Sequence, residues 1–326
     1  MNTKFFFLAT AISGQFYFSQ IKDSTSVKTM AYIAEKFPIT RVLNIEYNQV
    51  LPYIFSSKLR GKELPEGKVK NFHRAKMSAN INLITKQKWV VSTNLNYRYI
   101  SAETEMNNPA GALFDSKEDY HYHSESLTFT YFSKLFRKMV IYSASASLDG
   151  SEQHFERLRG IATATMVLKA NAKTKMSVGL FVAIDPSVKT PVIPTFTYEH
   201  KFKNGFIANV ILPRSVYLRK SIAENGRISI GSELDVTSFY LYNIENKNNK
   251  YEFRQLDINS GLIYEQYLGS SFVATVKSGA KSMMRSRVFE KSESYDSYIF
   301  RAKPQTALYV GVGLSFNPFV REAAAR

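Results

Sequence analysis

The sequence predicts an all-β protein: a transmembrane antiparallel up-and-down β-barrel of about fourteen strands. Three observations carry this reading. Apolar and polar residues alternate with a period of two, short turns alternate with long loops, and aromatic residues gather at both sets of strand ends.

The alternation is plain along the chain. Met77, Ala79, Ile81 and Leu83 share one face of a strand whose other face holds Lys76, Ser78, Asn80 and Asn82. Trp89, Val91, Leu95, Tyr97 and Tyr99 oppose Ser92, Asn94, Asn96 and Arg98, and Leu127, Phe129 and Tyr131 oppose Ser126, Thr128 and Thr130. Ile228, Ile230, Leu234 and Val236 alternate with Ser229, Gly231, Glu233 and Asp235, and Leu308, Val310, Val312, Leu314 and Phe316 with small or polar residues. The expected strands are 40–49, 73–84, 89–100, 121–132, 138–148, 157–168, 175–184, 191–200, 205–212, 214–222, 227–242, 251–264, 270–283 and 303–317. Strands ten and eleven are the weakest of these, so a count of twelve stays open.

A soluble sandwich shows the same alternation, and the connections separate the two. Short turns at 85–88, 133–138, 201–205 and 265–270 lie on one side. Longer loops at 50–72, 102–120, 243–250 and 284–297 lie on the other, as in outer-membrane barrels with short periplasmic turns. Trp89, Tyr131, Phe132, Phe136, Phe206, Tyr264, Tyr267 and Phe272 flank the short turns. Tyr97, Tyr99, Tyr120, Tyr122, Tyr240, Tyr242, Tyr251 and Tyr298 flank the long loops, so two interfacial girdles are expected.

Composition narrows the class. The 326 residues hold 43 Lys+Arg, 27 Asp+Glu and no Cys, which excludes disulfide scaffolds, thiolate metal sites and cysteine nucleophiles. Twenty-four Phe and 20 Tyr exclude a disordered chain. Residues 1–20 have the make-up of a Sec-type signal peptide: Lys4, the apolar run 5–12, then Ser19-Gln20 before polar Lys22-Asp23-Ser24. The expected organisation is a signal peptide over 1–20, an outer-membrane barrel over 21–319 and a C-terminal tail over 320–326, in the envelope of a Gram-negative bacterium. Phe319 would serve as the terminal aromatic residue of such a barrel.

The stretch Pro191-Val192-Ile193-Pro194, followed by Tyr198, Ile211-Leu212-Pro213-Arg214 and Leu218-Arg219, resembles a family of uncharacterised outer-membrane β-barrel proteins found largely in Bacteroidota. The resemblance implies an outer-membrane barrel and carries over no activity and no catalytic residue.

On the polar faces of the strands lie Lys76, Arg98, Glu199, Arg227, Glu233, Asp235, Asp257, Lys277 and Lys281, expected to line the lumen. They either ring a water-filled, weakly anion-selective constriction or pair up and plug the barrel. His123, Ser126 and Glu125 raise an outer-rim lipid-modifying enzyme, but alternation sends His123 and Ser126 to opposite faces. His121 and His123 have metal-ligand spacing without a visible third ligand, and His73, His154 and His200 stand apart. No glycine-rich phosphate loop is present, so neither a cofactor nor nucleic acid is expected. Instead, Lys86, Lys88, Lys134, Arg137, Lys138, Lys169, Lys173, Lys175, Lys201 and Lys203 make the short turns cationic. The leading expectation is a passive pore for small solutes; the alternatives are a non-conducting scaffold barrel and, third, the rim enzyme. Expected partners are outer-membrane lipid and lipopolysaccharide, the barrel-assembly machinery and small anionic solutes.

Overall fold

A computed structural model describes residues 29, 31–32, 34–35, 40–107, 113–185, 187–188, 190–223, 225–244, 249–269 and 271–318. The expected signal peptide, Phe319 and the tail over 320–326 lie outside the described residues. The described residues form sixteen β segments in one antiparallel sheet. In order they are β1 (Leu43–Val50), β2 (Tyr53–Leu59), β3 (Lys62–Thr85), β4 (Trp89–Asn107), β5 (Leu113–Leu135), β6 (Lys138–Gly150), β7 (Phe155–Ala170) and β8 (Thr174–Ile184). Then follow β9 (Val192–Lys201), β10 (Phe206–Leu212), β11 (Ser215–Ile222), β12 (Gly226–Tyr242), β13 (Lys250–Leu268), β14 (Phe272–Glu290), β15 (Tyr298–Pro304) and β16 (Ala307–Phe316).

The sheet closes because β1 pairs with both β3 and β16. At the other end of the same seam β2 pairs with β3 and β15, and β15 with β14. β1 and β2 are therefore one wall strand interrupted at Leu51-Pro52, and β15 and β16 another interrupted at Gln305-Thr306. The sixteen segments make a closed barrel of fourteen strands. Pro52 has no backbone donor for the ladder. The flanking groups bridge the two breaks, Leu51 N donating to Leu308 O at 2.8 Å and Gln305 N to Ile54 O at 2.9 Å.

The long loops of the sequence reading need correction. Most of 50–72, 102–120 and 284–290 is strand: β3 and β4 stay paired as far as Gly67 and Met106, and β4 and β5 as far as Asn107 and Leu113. Beyond the apolar band strict alternation stops, with Val69 and Phe72 of opposite parity both buried among polar neighbours, so the period-two signal fades while the hydrogen-bond ladder continues. Two-residue turns then suffice, as at Arg60 and Gly61, where φ is 50° and 82°.

Outward faces are apolar and exposed: Leu43, Ile45, Leu95, Leu127, Phe129, Leu180, Leu218, Ile230, Leu262, Val276, Val310 and Val312. Asn44, Arg74, Arg227, Asp257, Glu265 and Lys281, by contrast, are buried inside. A protein that shows hydrocarbon to its surroundings and encloses its charges is built for lipid, and the β1–β16 pairing closes the ring of strands on itself.

One row across the sheet departs from the ordinary pattern. Tyr217, Gly231, Gly261, Gly279 and Tyr309 are successive cross-strand neighbours on the inward face of β11 to β14 and β16. A Cβ on Gly261 would stand 2.1 Å from Ser278 O, and one on Gly279 2.0 Å from Ser260 O. The backbones approach that closely because the sheet coils inward at this row, which glycine permits. Gly261→Val should therefore destabilise the barrel by about 1–3 kcal/mol or more. The loss should appear as a lower temperature for the heat-modifiable gel shift of the closed barrel, while Val276→Leu on the lipid face should leave that temperature unchanged.

Candidate functional site

The inward coil shapes the lumen. β11 pairs with β12 only from Gly226 to Glu233, so the outer half of β12 has no neighbour on that side. Freed from the wall, it reaches β5 on the opposite side of the ring. Tyr120 stacks on Phe239 with ring centroids 4.0 Å apart, Phe239 on Phe253 at 4.6 Å, and Tyr122 on Tyr240 at 6.4 Å. Phe239 belongs to an apolar cluster with Val50, Val69, Phe72, Ile100, Met283 and Tyr309. A register shift between Val69 and Asn71 puts Val69 and Phe72, of opposite parity, on the same inner side. The outer half of the lumen is thus divided by a packed wall.

This corrects the girdle expectation. Tyr240 and Tyr251 are 4% and 3% exposed, and Tyr120 and Tyr122 point inward with the polar face of β5. Their even numbers placed them with Ser124, Ser126 and Thr128, not with Leu127 and Phe129. Tyr97, Tyr131, Tyr264, Phe272 and Tyr298 do face outward and exposed.

On the far side of the wall from the apolar cluster is an ionic cluster. The Arg159 guanidinium bonds Asp149, Asp185 and Glu252, and Arg157 reaches Asp185 at 3.2 Å. Tyr122 donates to Asp149 at 3.0 Å. Arg254 donates to Ser187 Oγ at 2.9 Å, drawing the segment after β8 into the mouth, where Ser187 is itself buried. Asp185 accepts from Ser187 N and Oγ at 2.9 and 2.7 Å. Burial pushes the Asp185 carboxyl up, but Arg159 and the Ser187 hydrogen bonds outweigh it and hold the carboxyl below its usual range. Nearby, Glu156 takes Lys250 at 2.9 Å and Lys291 at 2.7 Å.

Below the wall lies a cavity of about 270 Å³. Arg74, Lys76, Arg98, Arg214, Lys277 and Lys281 line it with Glu46, Glu233 and Asp235, so cations exceed carboxylates. Asp235 holds Arg74 at 2.7 Å and Lys76 at 3.0 Å, Glu46 holds Lys277 at 3.1 Å, and Asp257 holds Lys281 at 2.6 Å from behind. Arg98 donates to Ser238 O at 3.3 Å and lies 5.2 Å over the Tyr122 ring. Carboxamides continue the lining toward the other end: Asn96 donates to Asn94, Asn94 to Asn80, and Asn80 to Arg41 O at 2.7 Å.

At the opposite end lie Tyr32, Glu35 and Arg41, which precede β1. Arg41, 1% exposed, bonds Glu265 and donates to Ser315 Oγ at 3.1 Å and Ala34 O at 3.3 Å. Arg227 shares Glu265 and reaches Glu35 at 3.4 Å. Tyr32 donates to Glu199 at 3.3 Å, and Lys175 reaches the same carboxylate at 3.3 Å.

Between these ends, the inward faces of β5 to β9 carry hydroxyls: Thr128, Thr130, Ser143, Ser145, Ser147, Thr163, Thr165, Ser177, Thr195 and Thr197. All of them are half-buried. They face away from the exposed Leu127, Phe129, Tyr142, Leu180 and Val178. This side of the lumen is therefore an accessible neutral wall.

Of the residues singled out by sequence, Lys76, Arg98, Glu233, Asp235, Lys277 and Lys281 surround the cavity, and Asp257 backs it. Arg227 and Glu199 sit together at the end occupied by Tyr32 and Arg41. Sequence reasoning passed over Glu46 and Arg74, although Arg74 shares parity with Lys76. It also passed over Arg41, Asp149, Arg159, Asp185, Glu252 and Arg254, which lie at strand ends where alternation gives no guide. Three of the histidines lie on outward faces: His73 meets the Tyr47 hydroxyl at 2.6 Å, His121 that of Tyr97 at 2.7 Å, and His123 packs edge-on against Phe155. Among the described residues no group of three or more His, Asp or Glu is arranged to hold a metal.

A closed barrel with an apolar exterior and an ionised interior defines a membrane barrel. Residues 52–317 match the family described as Domain of unknown function (DUF6268), and the chain belongs to that family. No curated protein matches the sequence. Among solved structures, the chain is similar to the COG4313 outer membrane channel from Pseudomonas putida F1, with a TM-score of 0.34, 9% identity, and 84% of this chain and 94% of that one covered. It is similar also to a Pseudomonas aeruginosa FadL homologue (0.35, 8% identity, 85% and 90% covered) and to the outer membrane protease OmpT from Escherichia coli (0.27, 7% identity, 84% and 96% covered). Likeness at this level assigns no activity.

The mouth cluster yields a prediction. Arg159→Ala takes from Asp149 its one cation among the described residues, while Arg157 still reaches Asp185 and Glu252 and Arg254 still holds Glu252, at a cost of about 3 kcal/mol. Hydrogen exchange around residues 184–188 should accelerate accordingly in the folded variant. The depressed carboxyl of Asp185 contributes its full stabilisation above the unfolded value of about 3.9, and that contribution is lost as pH falls through the lower folded value. The same amides, corrected for intrinsic rates, should therefore stay protected at pH 5 and open only in stronger acid.

Proposed function

We propose that this protein is an outer-membrane channel for small solutes, held closed in the form described here rather than permanently open. The observation that carries the reading is the half-buried hydroxyl wall of β5 to β9, bounded at one end by the Arg159 cluster and at the other by Tyr32, Glu35 and Arg41. A barrel serving only as a rigid body has no use for an accessible neutral wall between two ionic seals. The surplus of cations around the cavity favours small anions among the solutes.

The envelope is that of a Gram-negative bacterium, with lipid and lipopolysaccharide around the apolar band and the barrel-assembly machinery as the route of insertion. The lysine-rich short turns face the periplasm, and the β2–β3 and β4–β5 hairpins face outward. The reading includes no catalytic step, since His123 shares the outer face with Tyr97 while Ser126 shares the inner one with Asn94. The packed wall through Phe239 favours the second reading, a non-conducting scaffold.

Planar-bilayer recording separates the two. The wild type should show rare, brief openings. A variant beginning at Thr40 and carrying Arg254→Ala should raise mean conductance at least tenfold, with preserved heat-modifiable migration as the check on folding. If that folded variant passes no current, the scaffold reading replaces the channel.

A further inference from the structure

We propose that the central cavity is a binding site for one small hydroxylated carboxylate, of the size and chemistry of a sugar acid. The argument starts from charge. Two of the three carboxylates that line the cavity are held by cations: Glu46 by Lys277, and Asp235 by Arg74 and Lys76. Arg98 is different. Its contacts are one backbone carbonyl and one aromatic face, and no carboxylate among the described residues lies within 4.0 Å of it. Its buried Nε has no hydrogen-bond partner. A guanidinium withdrawn from bulk water with no carboxylate in contact is costly, and the planar group best suited to complete it is a carboxylate.

The rest of the lining selects further. Asn48, Asn96, Asn259 and Ser124 surround the same space with carboxamides and a hydroxyl. Such groups both donate and accept, which suits hydroxyls and offers nothing to a second negative charge. Tyr122, already beneath Arg98, and Tyr309 add aromatic surface. The volume of about 270 Å³ is that of roughly nine waters at about 30 Å³ each, or one solute on the order of ten non-hydrogen atoms. One charge, several hydroxyls and that size describe a single class of solute. The cavity also touches Ser124 of β5 and Arg214 at the β10–β11 turn, where the hydroxyl wall begins. The inference rests on the channel reading only for the route by which the solute enters.

The test uses the full chain in detergent and needs no conduction. Galacturonate is the probe, with glucose, acetate and inorganic phosphate as controls at matched ionic strength, followed by calorimetry and thermal unfolding. Galacturonate should bind saturably at one site per barrel, and each control at least tenfold more weakly. Arg98→Gln should weaken galacturonate at least tenfold and Arg98→Lys should recover part of the loss. Should Arg98→Gln fail to give a heat-modifiable barrel, Asn96→Ala should instead weaken binding severalfold. Absence of saturable binding to the folded wild type overturns the proposal, as does phosphate or acetate binding as tightly as galacturonate. A barrel that binds galacturonate and never conducts removes the channel reading and leaves this site standing.

Discussion

The constraint on which the structure depends is that a barrel with its hydrocarbon face outward must satisfy every charge it encloses from within. Lipid offers nothing, so buried ions pair inside, several of them across the lumen. Lys76 of β3 meets Asp235 of β12, Arg41 before β1 meets Glu265 of β13, and Arg159 of β7 meets Glu252 of β13. None of these pairs joins adjacent strands. They tie one side of the barrel to another and set how round or how collapsed the cross-section is.

Collapse is made feasible by the row of glycines. Without Gly231, Gly261 and Gly279 the backbones of β12 to β14 could not approach closely enough to coil, and Phe239 would stay in the wall. With them, one face of β12 serves the apolar cluster and the other carries Tyr240 to Asp149 and Arg159. A single strand thus separates an apolar compartment from an ionic one. The lumen is consequently asymmetric, packed beside β1 to β4 and β13 to β16 and hydroxyl-lined beside β5 to β9.

The fold was legible because membrane alternation is a local property: each strand has to show apolar residues to lipid whatever its neighbours do. Thus Met77, Leu127 and Val310 were placed outward without knowledge of any pairing. The inner arrangement was less legible, since parity says that Asp235 points inward but not that Lys76 and Arg74 await it from across the lumen. The extended hairpins were missed where alternation stops, beyond Ala102 and Met283. Closeness to a strand end does not make a tyrosine interfacial: the parity of Tyr120 and Tyr122 sends both inward. The glycine row could not have been recognised in one dimension, because Gly231, Gly261 and Gly279 meet only through the register of three strands.

The seam where β1 meets β16 has a consequence for how the molecule comes into being. Every other neighbouring pair in the ring is joined by a hairpin, whereas this one brings Leu43 to Phe316 and Val50 to Tyr309 across almost the whole described chain. Loop closure grows in cost only as about 1.5RT times the logarithm of loop length, so the obstacle is modest in free energy but absolute in timing. The ring cannot shut until its last strand exists. Until then Asn44 lacks Ser315 and Arg41 lacks one of its two side-chain partners. Those two contacts therefore form only once β16 is present to close the ring.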